Sequence, residues 1–328
     1  LWLVPSELLA RLEQPPATLD LTNFISKAPT IVRGVVLDVS VVQGNTLPFV
    51  AVARLQVERW YRGGDGPIAT VRFETGFRMP GHYCIDFRPQ THWLIFATER
   101  NGQLEFVDDC YGAVPVSPFI APELPHPDML AQLEADFTAG LGDPDRAGRI
   151  VSIQRLGGLR SASSRPALDR AIESGDSTEK RWATYAALRS GDTTVLSRVS
   201  DMFDRQDKDV PPFYLAWELS QLKDSSASPG LIAIAQSAPD SNARKYALAA
   251  LGENIQSWEA LPTIATRLAD DDSGVRFYAL NAMRAITREP ACTLPMEPRW
   301  TDDMIEPQVR QCIAWWNGGG KERFSRKQ

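Results

Sequence analysis

The chain is poor in the residues that carry most enzyme chemistry. Its 328 residues include three histidines, His82, His92 and His126, and four cysteines. No G-x-S-x-G elbow, no phosphate-cradling G-x-x-x-x-G-K-[ST] loop and no H-E-x-x-H pair occurs. No C-x-x-C pair occurs either, which argues against a zinc ribbon or a thioredoxin-type motif. No apolar run approaches the roughly 20 residues of a membrane-spanning helix. Lysine and arginine (35) are outnumbered by aspartate and glutamate (41), giving a net charge of −6. Without a basic stripe to displace counterions from phosphate, the charge argues against a nucleic-acid partner. The opening Leu1–Pro5 is apolar but has no basic n-region and no initiator Met, so it reads as a mature or truncated start.

The cysteines fall two and two, Cys84 with Cys110 and Cys292 with Cys312. Two local disulfides are the simplest of the three possible pairings, and they would place the protein in an oxidising compartment, extracellular or periplasmic. Four buried free thiols in a cytosolic protein are the alternative. A zinc site from His82, Cys84 and His92 would need a free thiolate, which a Cys84–Cys110 bridge removes. Gly63–Gly66 lies between strands and reads as a turn, and Asp270–Asp272 reads as a helix cap. No catalytic residue, metal or cofactor is expected.

What is present changes period along the chain. Residues 1–27 read as short helical pieces, Ser6–Leu12 and Asp20–Ala28, the second with Phe24 and Ile25 facing inward. From Thr30 the pattern is that of strands: Ile31–Val42 with a possible bulge at Gly34, then Phe49–Trp60, Ala69–Glu74, His92–Thr98 and Leu104–Val107. The turn Asn101-Gly102 joins the last two. Short strands separated by turn signals imply a small β-barrel or sandwich. Trp60 and Tyr61 end the second strand side by side. Alternation cannot bury both rings in one core, so one is a candidate for partner binding.

Residues 28–113 resemble the netrin-like, or tissue-inhibitor-of-metalloproteinase-like, domain. The resemblance rests on Ala28–Val36, on Val57–Gly63, on Cys84–Phe87 ahead of Trp93–Ala97, and on Asp109–Gly112 after the last strand. It implies an OB-fold barrel and the Cys84–Cys110 bridge. The inhibitors of that family chelate the protease zinc through an N-terminal cysteine. None stands near Leu1, so that route to inhibition is not expected here.

Residues 114–127 hold five prolines and read as an extended, stiff linker. Beyond it the pattern is helical, from a helix capped by Asp128 and running to Phe137. Asn242–Gly252 and Gly274–Arg284 are near-copies at a constant offset of 32 residues, as from Arg244 to Arg276 and from Tyr246 to Tyr278. Such an offset marks a stacked helical repeat. Weaker copies precede them at Ile150–Gly157, Lys180–Ala187 and Phe213–Leu219. Partner helices are expected at Pro166–Ser174, Thr194–Asp204, Ser228–Gln236 and Glu259–Ala269. Asp240 and Asp272 can cap the helices that follow them. Trp182, Tyr214, Tyr246 and Tyr278 recur in register, as a packing ladder or a ligand stripe.

These residues resemble HEAT repeats, on the D-x-x-[VA]-R-x-x-A-[LI]-x-A-[LM] phrasing of Asp240–Leu251 and Asp272–Met283. The resemblance implies an α-solenoid over residues 128–290. Arg244 and Arg276 are expected as inter-repeat ion-pair or capping partners, with Asp240 and Asp272 as candidate acceptors, and are also candidates for partner binding. Residues 291–328 read as a cap: Pro307 in the first turn of a helix through Trp316, a Cys292–Cys312 bridge to the last repeat, and a mobile basic tail from Lys321.

The expectation is a multidomain protein, an all-β OB-like barrel followed by an all-α HEAT-type solenoid. Its expected function is non-catalytic: a secreted or periplasmic scaffold that binds a protein or peptide partner through the solenoid. The rival readings are a metalloprotease-inhibitor-like protein acting through the barrel and an enzyme, for example a lyase or hydrolase on the solenoid's concave face; a further variant is a structural subunit of an extracellular or membrane-attached assembly. HEAT-like lyases acting on bilins exist as a family, but no catalytic motif here matches an enzyme.

Overall fold

Thr30–Gln43 (β1) and Phe49–Arg62 (β2) are long enough to serve two neighbours each, and this closes the barrel. The computed structural model describes residues 19–43, 49–75, 85–108, 111–125, 128–204, 210–293 and 302–325. The other strands are β3 (Ile68–Thr75), β4 (His92–Arg100), β5 (Gln103–Phe106) and β6 (Ala113–Pro115). The sheet order is β1-β2-β3-β5-β4, and β1 pairs again with β4 to complete a ring. Every pairing in the ring is antiparallel except β3 with β5, which is parallel. This is the five-stranded OB-type barrel. β6 pairs antiparallel with Trp93–Ile95 of β4.

Alternation fills the barrel. Ala51, Ala53 and Leu55 of β2 face inward, with Val71 and Phe73 of β3 and Trp93 and Ile95 of β4. Phe87 seals this core edge-on, its ring centroid 4.9 Å from Trp93 and 5.0 Å from Phe73. β4 is buried on both faces, because Phe96 turns outward to meet Phe24, 5.6 Å away, on helix α1 (Leu21–Lys27). The register of β1 against β2 shifts between Arg33 and Gly34. A Cβ at Gly34 would stand 2.6 Å from the Gln56 carbonyl oxygen, so the expected bulge has a steric reason. Asn101 and Gly102 both take positive φ, as the tightest hairpin turn requires.

The chain divides into two compact units, Leu1–Ala186 and Ala187–Gln328. In the first, the barrel is followed by α2 (Met129–Ala139), α3 (Arg146–Gly158), α4 (Arg165–Ser174) and α5 (Ser177–Arg189), the last running into the second unit. The proline-rich stretch opens as β6 on the barrel. Its remainder is held by side chains on both sides. Arg33, 1% exposed, donates to the Ser117 and Phe119 carbonyls, while its Nε lies 2.8 Å from Glu58. The carboxylate of Asp136 on α2 accepts from the Arg59 guanidinium at 2.6 and 2.7 Å, from Ala121 N–H at 3.0 Å and from Gln132 at 3.2 Å. It also accepts from the Tyr61 hydroxyl. Barrel, proline-rich strap and first helix thus share one buried charge.

The second unit is built of helical pairs. α6 (Leu196–Asp204), α8 (Ser228–Ser237) and α10 (Leu261–Arg267) lie side by side in one layer. α7 (Pro212–Gln221), α9 (Ser241–Ala249) and α11 (Ser273–Thr287) form the other. This is a HEAT-type arrangement, and the five expected copies of the repeated helix correspond to α3, α5, α7, α9 and α11. Asp240 caps α9 through the Asn242 and Ala243 N–H groups, and Asp272 caps α11 through Val275 N–H. Twelve helices follow the barrel among the described residues.

Two expectations about the C-terminal segment are corrected. Helix α12 (Asp302–Trp315) starts five residues before Pro307, so that proline lies inside the helix rather than in its first turn. Its position early in the helix limits the loss to the start of the hydrogen-bond ladder. The tail is not free from Lys321: Lys321–Ser325 forms α13, and Phe324 is buried against Trp258 (5.0 Å) and Trp315 (6.1 Å). Gly319, at φ 143°, makes the reversal that brings it back. Cys292, in a short turn after α11, is disulfide-bonded to Cys312 on α12. Cys84 and Cys110 lie outside the described residues, as do the Ser6–Leu12 helix and His82.

Candidate partner-binding surface

On α9 the buried residues Ala243, Ala247, Leu248 and Ala249, with Ala250 and Leu251 just past it, take most of the helix circumference. Asn242, Lys245 and Tyr246 share the strip that remains, by the 100° advance per residue of a helix. Because the second helices repeat in register, the same strip on α7 carries Tyr214 and Trp217, and on α11 it carries Phe277, Tyr278 and Asn281. Trp217 is 51% exposed, an unusual place for the largest apolar side chain. Tyr214, Tyr246, Phe277 and Tyr278 are half-buried. The Tyr246 and Tyr278 rings touch, centroids 5.9 Å apart, so the aromatic register runs across repeats. Trp182 and Tyr185 hold the corresponding places on α5, where both are buried.

Small residues allow the helices to approach closely enough for those rings to meet. A Cβ at Gly252 would overlap Ala282 on the next second helix. The same pairing occurs in the first unit, where a Cβ at Gly157 would stand 2.7 Å from the Ala186 Cβ. Past Ala249 the helix widens into a looser turn over Ala250–Ile255, which ends at Gln256 with φ 55°. Asn254 in this turn donates to the Ser220 carbonyl at the end of α7, at 2.5 Å.

Arg244 and Arg276 do pair between repeats, with other partners than those expected. Each turns back to donate to two carbonyls of the loop before its own helix: Ala238 and Pro239 for Arg244, Asp270 and Asp271 for Arg276. Each then reaches forward one repeat. Arg244 lies 2.9 Å from Asp270, and Arg276 lies 3.6 Å from Glu306. Arg149 on α3 does the same with Asp143, Pro144 and Glu179. Asp240 is not Arg244's partner because its carboxylate is used on the N–H groups of α9. Asp272 takes Lys245 instead, at 3.0 Å. Burial opposes its charge, but hydrogen bonds from Lys245, Ser241 and Val275 N–H outweigh this and bring its carboxyl down to about 2. Asp270 is likewise held below the ordinary range: burial works against it, and Arg244, the Asp272 N–H and Arg267 more than compensate.

The aromatic pair from the barrel is engaged internally. Trp60 packs half-buried against the barrel core and donates from Nε1 to the Gly66 carbonyl at 2.8 Å. Tyr61 donates to Asp136 and lies under the Arg59 guanidinium, 6.0 Å from the ring centroid. Burial, then the Asp136 charge, pushes its phenol far above the ordinary value, so it stays a donor. His92 Nδ1 is 2.9 Å from Glu58 Oε1. Burial disfavours the Glu58 charge, but His92 and Arg33 together hold its carboxyl below the ordinary range. Among the described residues no three His, Cys, Asp or Glu side chains converge as metal ligands, and no helix is long and apolar enough to cross a membrane.

Barrel topology and stacked helical pairs define the class: an OB-type barrel followed by a HEAT-type repeat region. Residues 228–305 match the family model of HEAT repeats. No curated protein sequence matches the chain. Among solved structures it is similar to the complex of CpcE and CpcF of phycocyanin lyase from Nostoc sp. PCC7120, with 26% identity, 54% of this chain and 71% of that chain covered, and a TM-score of 0.36. It is also similar to an engineered protein (19% identity, 48% and 80% covered, TM-score 0.34). A designed armadillo repeat protein gives 12% identity, 55% and 98% covered, and a TM-score of 0.34. Likenesses of this size carry nothing about activity.

Proposed function

We propose that the chain is a non-catalytic scaffold that binds a protein partner on the outer strip of its second helices, centred on Trp217, Tyr214, Tyr246 and Tyr278. The observation that carries this is the exposure of Trp217 one turn from Tyr214, whose repeat position holds Tyr246 and Tyr278 on the next two second helices. A large exposed aromatic side chain beside half-buried ones marks an interaction site, and tryptophan and tyrosine are the residues that anchor interfaces. Arg244 and Arg276, engaged inside the repeats, set the spacing of the strip rather than touching the partner. The Cys292–Cys312 disulfide supports an oxidising location, extracellular or periplasmic. We read the barrel as netrin-like, with Trp60 packed on the barrel itself and Tyr61 serving its junction to α2 and the strap.

Native mass measurement of the chain isolated from its source tests the reading. The wild-type chain is expected with a stoichiometric protein partner, and a Trp217→Ser, Tyr246→Ser double variant alone. A wild-type chain free of partners, or a double variant that keeps its partner, contradicts it. A chain found permanently within a larger membrane-attached assembly favours the structural-subunit reading.

A further inference from the structure

Of Lys321–Phe324 in α13, Phe324 is buried, while Lys321, Glu322 and Arg323 are exposed. The Phe324 ring meets Trp258 at 5.0 Å with planes 35° apart and Trp315 at 6.1 Å with planes 68° apart. Both tryptophans have supports of their own. Trp258 opens the single turn Trp258–Ala260 that leads into α10, which is rooted by the buried Leu261 and Ile264. Trp315 ends α12, which the Cys292–Cys312 bridge ties to the turn after α11. The two rings therefore wall a seat that does not need α13 to exist, and Phe324 fills it. Five residues are far below the roughly 12–15 at which a helix stands by itself in water, so α13 depends on that ring. Its tether is Gly318-Gly319-Gly320. A Cβ at Gly318 or Gly319 would meet nothing within 4 Å, so packing does not restrain the turn, and glycine loses the most backbone freedom when held. Arg323 stands over the Phe324 ring at 5.4 Å and lies 3.9 Å from Glu289, an ion pair that solvent screens because the arginine is largely exposed.

We propose that α13 is a releasable latch over a docking site for an aromatic side chain. Phe324 is the resident occupant, and a protein segment that carries an arginine beside an aromatic residue displaces it. The chain's own Arg323-Phe324 supplies the pattern: a ring against Trp258 and Trp315, and a guanidinium toward Glu289. The site shares no residue with the Trp217 strip, so the two are tested separately. A tethered occupant competes at the high effective concentration that a short linker gives it. A partner segment therefore meets only the fraction of chains whose latch is open, and its apparent affinity falls by that fraction.

The test titrates the full wild-type chain and the full Phe324→Ala chain, each with isotopically labelled tryptophan, and follows them by NMR. The probe is the end-blocked pentapeptide Lys-Glu-Arg-Phe-Ser, the sequence of α13. One control peptide has serine in place of phenylalanine, and a second has glutamate in place of arginine. Phe324→Ala is expected to bind the probe with shifts at the Trp258 and Trp315 indole signals. Wild type is expected to bind it about tenfold to a hundredfold more weakly. The serine peptide is expected not to bind, and the glutamate peptide to bind Phe324→Ala at least about threefold more weakly than the probe. Equal binding of the probe by the two chains, equal binding of the probe and either control, or no binding to a folded Phe324→Ala chain overturns the proposal. Hydrogen exchange of the wild-type chain needs no variant. The α13 amides are expected to open at least about tenfold more readily than those of α12 around Cys312. Opening of both helices in a single step makes Phe324 part of the fixed core and overturns the latch.

Discussion

Gly252 lies so close to Ala282 that a side chain of any size at 252 would collide with the backbone of the next second helix. This contact fixes the distance between α9 and α11, and with it the meeting of Tyr246 and Tyr278. Gly252→Ala should therefore cost about 1–3 kcal/mol of stability in the second unit, as overpacking of a close contact does. Urea unfolding measures it. Ala at a freely accommodating helical site would instead be neutral or stabilising.

Asp136 is the common acceptor for Arg59, Tyr61, Gln132 and the strap at Ala121. Asp136→Ala leaves a half-enclosed guanidinium and a buried hydroxyl without their partner. The expected loss is about 3–5 kcal/mol in the first unit, the usual cost of breaking a buried pair from one side. Hydrogen exchange should localise it to residues 117–125 and α2. A loss spread evenly over the barrel would contradict the role given to Asp136.

Asp270 and Asp272 join α9 to the loop before α11, and both have depressed carboxyl values in the folded chain. A depressed value contributes stability that is present above the unfolded value near 3.8 and is lost as pH falls toward the folded one. The second unit is therefore expected to weaken between about pH 4 and pH 2. Asp272→Asn should flatten part of that dependence while retaining the helix cap, as thermal unfolding at a series of pH values would show.

The Cys292–Cys312 bridge closes a loop across 20 residues. Cys292→Ser with Cys312→Ser is expected to lower stability by roughly 3 kcal/mol, with the loss concentrated in α12 and α13. A non-reducing peptide map checks the bond in the natural protein. Free thiols at both positions would remove the support for an oxidising location.

Much of this fold is local and therefore legible in the sequence. The 32-residue offset located the second helices, because a repeat places identical packing demands on identical positions. Strand alternation and the Asn101-Gly102 turn located the barrel strands. The site residues are less legible, because their partners are distant in the chain. Tyr61 reads as a candidate for outside contact until Asp136, 75 residues later, is brought against it. Arg244 reads as a partner for the nearby Asp240, yet it meets Asp270, 26 residues on, because Asp240 is occupied in capping. Phe324 sits in a basic tail, and nothing local announces that Trp258 and Trp315 will enclose it. Trp217 lies one turn after Tyr214, at the repeat position that Ala249 and Asn281 hold on the next two second helices, so no recurring aromatic marks it in the sequence.

The account stands or falls on whether a protein partner sits on the outer strip of α7, α9 and α11. A photo-crosslinking amino acid placed at position 217, with controls at Arg72 on the barrel and Glu173 on α4, asks this directly in the source cells. The expected result is one dominant protein adduct from position 217 and none of that protein from either control. The same adduct from all three positions, or no protein adduct from position 217, would contradict it.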